Sequence, residues 1–264
     1  MIHTRLPAPQ AIRTIFFDAG YTLLRPSPSV IAICQEVCAA NGLHLDVERL
    51  KQELAAAEAF FREAMKANSR TWADEQAILN FWTAYYTALL RPLVEEHNEH
   101  LLERSVHAII REFSSHTRWE LFPDVLPTLE ALQGKGFTLG IISDWEISLT
   151  QILKGLDLGR YFDCLIISAA TRYSKPEPAL YELALRRADA IADYAIHIGD
   201  SYIHDVLGAR SVGITPVLID RPKRLSLSQV DCLVIHDLRD ILDLLEIAPA
   251  VEPAIVAQNP LETP

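Results

Sequence analysis

The chain contains few of the features that would assign it quickly to a class. Only four of its 264 residues are cysteine, and no pair among them has the spacing of a zinc site. They are Cys34, Cys38, Cys164 and Cys232, and we expect them to be small buried residues. A reducing cytoplasm is the compartment that best fits this use of cysteine.

Long apolar runs and an excess of basic residues are also missing. No apolar run reaches the length needed to span a bilayer, and the first residues lack the basic-then-apolar order of a signal peptide. Lysine and arginine number 24 against 35 aspartate and glutamate, so the formal net charge is −11. Because nucleic-acid phosphates are held by basic surfaces, we expect no nucleic-acid partner, and we expect no membrane association.

What the chain does have is apolar residues in two different periods. Half of its residues are apolar and the mean hydropathy is +0.12, which allows a sizeable core in a soluble protein. Outside residues 27–118, strand-like runs alternate with helical segments, and this predicts an α/β fold with a doubly wound parallel sheet. The predicted strands are 13–18, 137–143, 164–168, 194–199, 215–219 and 232–235.

Residues 27–118 have the pattern of four amphipathic helices, which indicates a small helical bundle. The preceding segment 25–28 is too rich in proline to continue a strand or a helix. A later helix is expected to begin at Pro176, since proline is tolerated in a first helical turn.

Polar residues stand where several of the apolar strands end. Asp18 follows the apolar run Ile15-Phe16-Phe17, directly before a glycine-containing turn. Open α/β sheets hold their ligands at the carboxyl ends of strands, so this position is a candidate site. Three further segments raise the expectation, and they are Ser143-Asp144, Lys175-Pro176-Glu177-Pro178 and Gly199-Asp200 with Asp205 five residues later.

In this order and spacing, the four segments resemble the motifs of the haloacid dehalogenase superfamily, whose members are mostly Mg²⁺-dependent phosphatases with an aspartate nucleophile. The resemblance implies a Rossmann-like core of residues 12–26 and 119–247 with a type-one helical cap of residues 27–118. Residues 1–11 and 248–264 are expected to be loose termini. The overall run is also similar to a branch named for a rhythmically expressed protein.

The resemblance implies catalytic roles for three residues. Asp18 would attack phosphorus and form an aspartyl-phosphate, Ser143 would donate a hydrogen bond to a phosphoryl oxygen, and Lys175 would neutralise charge. Gly20 and Asp144 are expected to contact substrate.

The same resemblance implies a magnesium site. Its expected ligands are Asp18, the carbonyl of Gly20, Asp200 and Asp205, although Asp205 would equally well orient the lysine or a metal-bound water. Mg²⁺ prefers oxygen ligands and is usually held by one or two carboxylates together with water and phosphate.

One departure from the family pattern concerns the general acid. Most phosphatases of the family carry an aspartate two residues after the nucleophile, and this chain has Gly20 there, followed by Tyr21 in place of a glycine. General acid–base catalysis contributes about 10²–10⁴ in rate, so we expect weak turnover of alkyl phosphates. Acyl and aryl phosphates should suffer less. Asp144 or His204 could supply the proton, but the sequence positions neither.

Three alternatives stay open. A 2-haloacid dehalogenase also lacks the second aspartate and needs no metal, but its fourth motif carries an asparagine where this chain has Gly199-Asp200. A phosphonatase needs a cap lysine, for which Lys51 and Lys66 are the candidates. The third is a binding protein that keeps the fold without catalysis. The expected partner is a small phosphorylated or halogenated substrate, and neither its identity nor the oligomeric state follows from the sequence.

Overall fold

A six-stranded parallel sheet forms the centre of the protein. The computed structural model describes residue 6 and residues 8–67, 69–225 and 230–247. The strands of the central sheet are β1 (Thr14–Phe17), β4 (Thr138–Ser143), β5 (Cys164–Ile167), β6 (Ala195–Gly199), β7 (Thr215–Ile219) and β8 (Leu233–Ile235). Each agrees with its predicted strand to within one residue at either end, and the predicted α/β fold is confirmed.

The order of the strands positions the candidate site. Across the sheet the order is β5-β4-β1-β6-β7-β8, so β1 lies between β4 and β6 and pairs in parallel with both. After β1 the chain builds outward to one side through β4 and β5, and then returns to build the other side from β6. The winding therefore changes direction beside β1, and this is where open parallel sheets bind ligands.

Both faces of the sheet are covered, as expected for a parallel sheet. Successive side chains alternate between faces, so Ile15 and Phe17 pack into one apolar cluster while Phe16 packs into another. The covering elements are α5 (Val125–Gly134), α6 (Leu149–Gly155), α7 (Ser168–Thr171), α8 (Pro178–Arg187), α9 (Gly208–Ser211) and α10 (Asp240–Leu244). A π-helical turn, Tyr202–Leu207, precedes α9.

The insertion after β1 forms a separate helical unit. Its helices are α1 (Val30–Ala40), α2 (Val47–Ala67), α3 (Glu75–Leu90) and α4 (Glu99–Phe113). Each packs against the next, and α1 also packs against α4, around an apolar cluster distinct from those on the sheet. Its rings include Phe61, Phe81, Trp82 and Tyr85, which contact one another at centroid distances of 5.1 to 6.4 Å. The expected division at residues 27 and 118 stays a prediction.

The two links between core and cap are strands, which the sequence analysis did not anticipate. Leu24–Pro26 (β2) pairs antiparallel with Trp119–Leu121 (β3), so the expectation that the proline-rich segment belongs to no element is wrong at its first residues. Pro26 is tolerated because it ends a strand of a two-stranded sheet, where a missing N–H breaks little of the ladder. Arg25 and Ser27 also donate hydrogen bonds to the carboxylate of Glu120.

Another difference concerns where a helix begins. The helix expected from Pro176 starts at Pro178, because Glu177 has non-helical backbone angles and serves as its N-cap. Of the termini expected to be loose, residues 1–11 and 248–264, residues 1–5, 7 and 248–264 lie outside the described residues, and Pro9–Ala11 form a short 3-10 helix.

The cysteines agree with the expectation of small, mostly buried residues. Cys34, Cys38 and Cys232 are buried, Cys164 is half-buried, and all four are free thiols. Burial raises the pKa of Cys34 to about 12, so this thiol is not a reactive thiolate.

Within the described ranges, no helix combines the length and the apolar character that crossing a membrane requires.

Gly140 is required by close packing inside the sheet. A Cβ at this position of β4 would lie 2.7 Å from Cys164 Sγ and 2.8 Å from Phe16 Cδ1. We expect Gly140→Ala to lower the free energy of unfolding by about 1–3 kcal/mol through overpacking, as measured by chemical denaturation. Gly134→Ala is the matched control, because nothing lies within 4 Å of its Cβ position. Equal stability of the two variants would contradict this account.

Candidate active site

Asp18 lies in the loop that follows β1, at the centre of the sheet's carboxyl edge. Its backbone N–H donates to the carbonyl of Ile198 in β6 at 2.8 Å, so the parallel ladder fixes the position of the residue. Its side chain keeps 11% of its surface exposed. Burial raises the pKa of Asp18, an effect that Lys175 partly offsets.

Ser143 and Lys175 converge on one oxygen of Asp18. Ser143 Oγ, at the end of β4, donates to Asp18 Oδ1 at 3.2 Å, and Lys175 Nζ donates to the same oxygen at 2.6 Å. Within the described residues the hydrogen bonds to this carboxylate go to Oδ1, which leaves Oδ2 unoccupied. The three residues assigned catalytic roles are therefore neighbours in space.

Asp205 holds Lys175 from the other side. Lys175 Nζ donates to Asp205 Oδ1 at 2.6 Å, and Ser201 N donates to Asp205 Oδ2 at 2.9 Å. Burial disfavours the charge on each, but the ion pairs dominate, so the pKa of Asp205 is lowered and that of Lys175 is raised. Both oxygens of Asp205 are thus engaged by the protein, and these contacts favour lysine orientation over direct metal ligation.

His197 is a site residue that the sequence analysis missed. It lies in β6, is fully buried, and its Nε2 is 2.9 Å from Asp205 Oδ1. Burial lowers the pKa of His197. In this contact Nε2 must carry a proton, because a carboxylate only accepts. The available signal was a histidine inside an otherwise apolar strand, but nothing in the sequence named its partner.

Two more contacts keep the Asp205 turn in place. Tyr181 in α8 donates its hydroxyl to the carbonyl of His204 at 2.6 Å, and its ring packs edge-on to His197. At Gly199 a Cβ would lie 2.1 Å from the carboxyl carbon of Asp205, so only glycine admits this carboxylate. His204 Nδ1 lies 3.0 Å from Ser201 Oγ, a local contact within the turn.

Asp144 supports Lys175 through the backbone. Its Oδ1 accepts a hydrogen bond from Lys175 N at 3.0 Å, while Oδ2 is buried without a partner among the described residues. Burial raises the pKa of Asp144 to about 7, with Lys175 acting in the opposite direction. The expected contact of Asp144 with substrate stays a prediction.

Asp200, Gly20 and Tyr21 form the mouth of the site. Gly20 lies two residues beyond Asp18, and Tyr21 has a left-handed φ of 54° and is 54% exposed. Part of Asp200 is exposed as well, yet loss of water around its carboxyl, and then the carboxylates of Asp18 and Asp205, raise its pKa. Three carboxylates thus share one lysine, and the site has a deficit of positive charge.

These residues fit Mg²⁺. Asp18 Oδ2 and the Asp200 carboxylate are hard oxygen ligands in a site with excess negative charge. The Gly20 carbonyl lies in the same loop as Asp18. In the part of the chain that the structure describes, no three His, Cys, Asp or Glu side chains form a metal-holding cluster by themselves.

Lys51, one of the two cap lysines, does not form a comparable site. Lys51 pairs with Glu48 on the exposed side of α2 at 2.7 Å, and the side chain of Lys66 lies outside the described part of the chain. A phosphonatase therefore has no support from Lys51.

Sequence comparisons agree with the geometry. A family profile described as hydrolase, haloacid dehalogenase-like hydrolase, matches residues 12–213. "Haloacid dehalogenase-like hydrolase domain-containing protein 3" of Danio rerio is 30% identical over 221 residues, which cover 80% of this chain and 86% of the relative. "Phosphoserine phosphatase" of Thermus thermophilus is 27% identical over 231 residues, with 81% and 90% covered.

Solved structures share the fold. A HAD phosphatase from Thermococcus onnurineus matches with a TM-score of 0.62 at 26% identity, covering 90% of this chain and 100% of that one. A 2-haloacid dehalogenase from Pseudomonas syringae matches with a TM-score of 0.58 at 23% identity, covering 89% and 98%. The fold alone does not separate the two reactions. From the profile match, the relatives and the converging motif residues it follows that the chain belongs to the haloacid dehalogenase-like hydrolases.

Proposed function

We propose that this hydrolase is a Mg²⁺-dependent phosphatase that acts on a small phosphorylated substrate through an aspartyl-phosphate. The observation that carries the proposal is the pair of donors on Asp18 Oδ1, from Ser143 and Lys175, which leaves Oδ2 to act as the nucleophile. The phosphatase names among the relatives support the same reaction class.

The first step forms a bond between Asp18 Oδ2 and phosphorus and breaks the bond from phosphorus to the leaving-group oxygen, which departs with the electron pair. Lys175 and Ser143 are the cation and the hydroxyl next to that carboxylate, and they neutralise and orient the phosphoryl oxygens. Water then cleaves the new phosphorus–oxygen bond, releasing inorganic phosphate and restoring Asp18.

The excess of negative charge in the site is the reason to expect a bound cation. An incoming phosphoryl group would add negative charge beside Asp18, Asp200 and Asp205, and among the described residues Lys175 is the lysine that pairs with two of them. Bound through the carboxylates of Asp18 and Asp200 and the Gly20 carbonyl, Mg²⁺ would screen that charge. Asp205 would act on the reaction through Lys175, as a positioning residue.

The glycine at position 20 limits the substrates. With no carboxyl there, an alkoxide leaving group has no nearby proton donor at the expected place, and turnover of ordinary alkyl phosphates should fall by about 10²–10⁴. His204 is bound locally to Ser201, and Asp144 has one oxygen on the Lys175 backbone. Acyl and aryl phosphates, whose leaving groups depart without needing a proton, are therefore the favoured class of substrate.

The dehalogenase alternative would use the same nucleophile without a metal. A third carboxylate, Asp200, close to those of Asp18 and Asp205 would be repelled by both in a site that never binds a cation. This argument favours the phosphatase. A non-catalytic binding protein would not need two donors, Ser143 and Lys175, aligned on the carboxylate of Asp18.

Asp18→Asn tests the reaction directly. We expect phosphate release from acetyl phosphate and from an aryl phosphate to require Mg²⁺ and to fall to background in Asp18→Asn, because the amide is a poor nucleophile. The measurement is released phosphate with Mg²⁺ and with a chelator present. The matched control is Asp193→Asn, which changes an exposed carboxylate at the opposite end of β6 and should keep the activity. Halide release from a 2-haloacid without metal would instead indicate a dehalogenase.

His197 tests the positioning of the lysine. We expect His197→Leu, which fills the same core space without a donor, to lower kcat for an aryl phosphate about 10- to 100-fold. The reason is that a buried hydrogen bond to a charged group contributes about 1.5–3 kcal/mol. His197→Gln, which can donate to Asp205 as Nε2 does, should recover most of the activity.

Thermal unfolding of both His197 variants separates this role from general destabilisation. If His197→Gln and His197→Leu lose activity equally while both stay folded, the histidine does not act through its hydrogen bond to Asp205.

A further inference from the structure

Trp145 lies two residues after Ser143 and has no part in the chemistry described so far. Its backbone is fixed to the next element of the core, since Trp145 N donates to Ser168 Oγ at 3.1 Å and Ala169 N donates to Trp145 O at 3.3 Å. The loop that follows Ser143 therefore holds Trp145 in a defined place.

The indole approaches Gly20. A Cβ at position 20 would lie 3.2 Å from Trp145 Cζ3, closer than ordinary van der Waals contact. The space into which a side chain at position 20 would grow is therefore bordered by the six-membered ring of Trp145. By the family resemblance, this is the side of the site at which the leaving group departs.

Trp145 cannot easily give way. Its ring contacts that of Trp119 in β3 at a centroid distance of 4.8 Å, and Trp119 Nε1 donates to the carbonyl of Phe113 at 2.8 Å. Phe113 in turn packs on Trp119 and on Tyr86 of the cap. A line of aromatic contacts thus supports the indole from the side of the cap, and close-packed interiors resist such displacement.

The residue after Gly20 is also aromatic. Tyr21 is 54% exposed, and its left-handed φ of 54° is a conformation that few residues other than glycine adopt. Gly20 is therefore bordered by the indole of Trp145 and followed in the chain by an exposed phenol.

We propose that Trp145 is a specificity-determining residue, whose indole takes the space beside Gly20 and gives the leaving-group side of the site an apolar aromatic edge. This inference rests on the proposed phosphatase function. It goes further by naming the leaving group as flat and apolar, so the substrate class is an aryl phosphate monoester. Apolar rings gain from burial against an indole, whereas a small polar acyl group does not.

The first test compares two activated substrates that differ in the leaving group. We expect Trp145→Ala to lower kcat/KM for 4-nitrophenyl phosphate about three- to tenfold more than it lowers that for acetyl phosphate, since aromatic contacts contribute on this scale. Trp145→Phe, which keeps a ring, should keep most of the preference. Trp82→Phe is the control for loss of an indole elsewhere, because Trp82 packs among the rings of the cap.

The second test is a double-mutant cycle on the shared space. Gly20→Asp alone should raise hydrolysis of ethyl phosphate by less than about tenfold, because the new Cβ meets Trp145. Combined with Trp145→Ala, the same change should raise it at least about tenfold further. Coupling of this size is typical of residues in direct contact.

The outcomes separate this inference from the function on which it rests. If the wild-type protein with Mg²⁺ releases phosphate from none of the substrates, the proposed function fails and the inference fails with it. If the wild type is active but Trp145→Ala and Trp145→Phe change both activated substrates by one factor, the role of Trp145 in specificity is wrong. The same holds if the cycle is additive. Thermal unfolding checks that each variant is folded, and Trp145→Phe serves if the alanine variant is not.

Discussion

The ammonium of Lys175, held between two carboxylates, is the interaction on which the site depends. It lies 2.6 Å from Asp18 Oδ1 and 2.6 Å from Asp205 Oδ1, and only 2% of the residue is exposed. Removing water from an ion costs several kcal/mol unless it is paired, so each of these charges is acceptable only because the others are present. The three groups therefore fix one another. Because Asp18 and Lys175 come from two separate loops and Asp205 from the π-helical turn Tyr202–Leu207, the arrangement also fixes these three segments relative to one another.

The parallel sheet makes this convergence possible. β1 lies between β4 and β6, so the residues that follow these three strands emerge side by side at one edge. Lys175 comes from beyond β5 and reaches back across β4 to the centre. His197 then links the core to the charges, because a strand residue inside the sheet donates to the carboxylate that holds the lysine. The packing of the core around His197 therefore also determines how Asp205 and Lys175 are oriented in the site.

The sequence predicts the parallel sheet well because apolar strands separated by helices give a local, repeated signal. It also identifies Asp18, Ser143 and Lys175 as a group, through the motif resemblance. It does not predict the pairing of β2 with β3, since three-residue strands have no detectable period and their partner lies beyond the whole cap. The approach of Trp145 to Gly20 is hidden for a similar reason. A glycine in the sequence shows only that a side chain is absent. Which other residue borders the free space is known from the structure alone.

The ladder between β2 and β3 has a consequence for how the chain tolerates its own architecture. Pro26 is paired with Trp119, so residues 27–118 leave the core and re-enter it at a single point. An insertion whose two ends are already paired does not require the strands of the sheet to move. Lengthening it costs only about 0.6 kcal/mol of loop-closure free energy for each doubling of its length. The bundle has its own apolar interior to offset that cost. Helices can accordingly be exchanged, shortened or added above the catalytic edge while the six strands beneath keep their register.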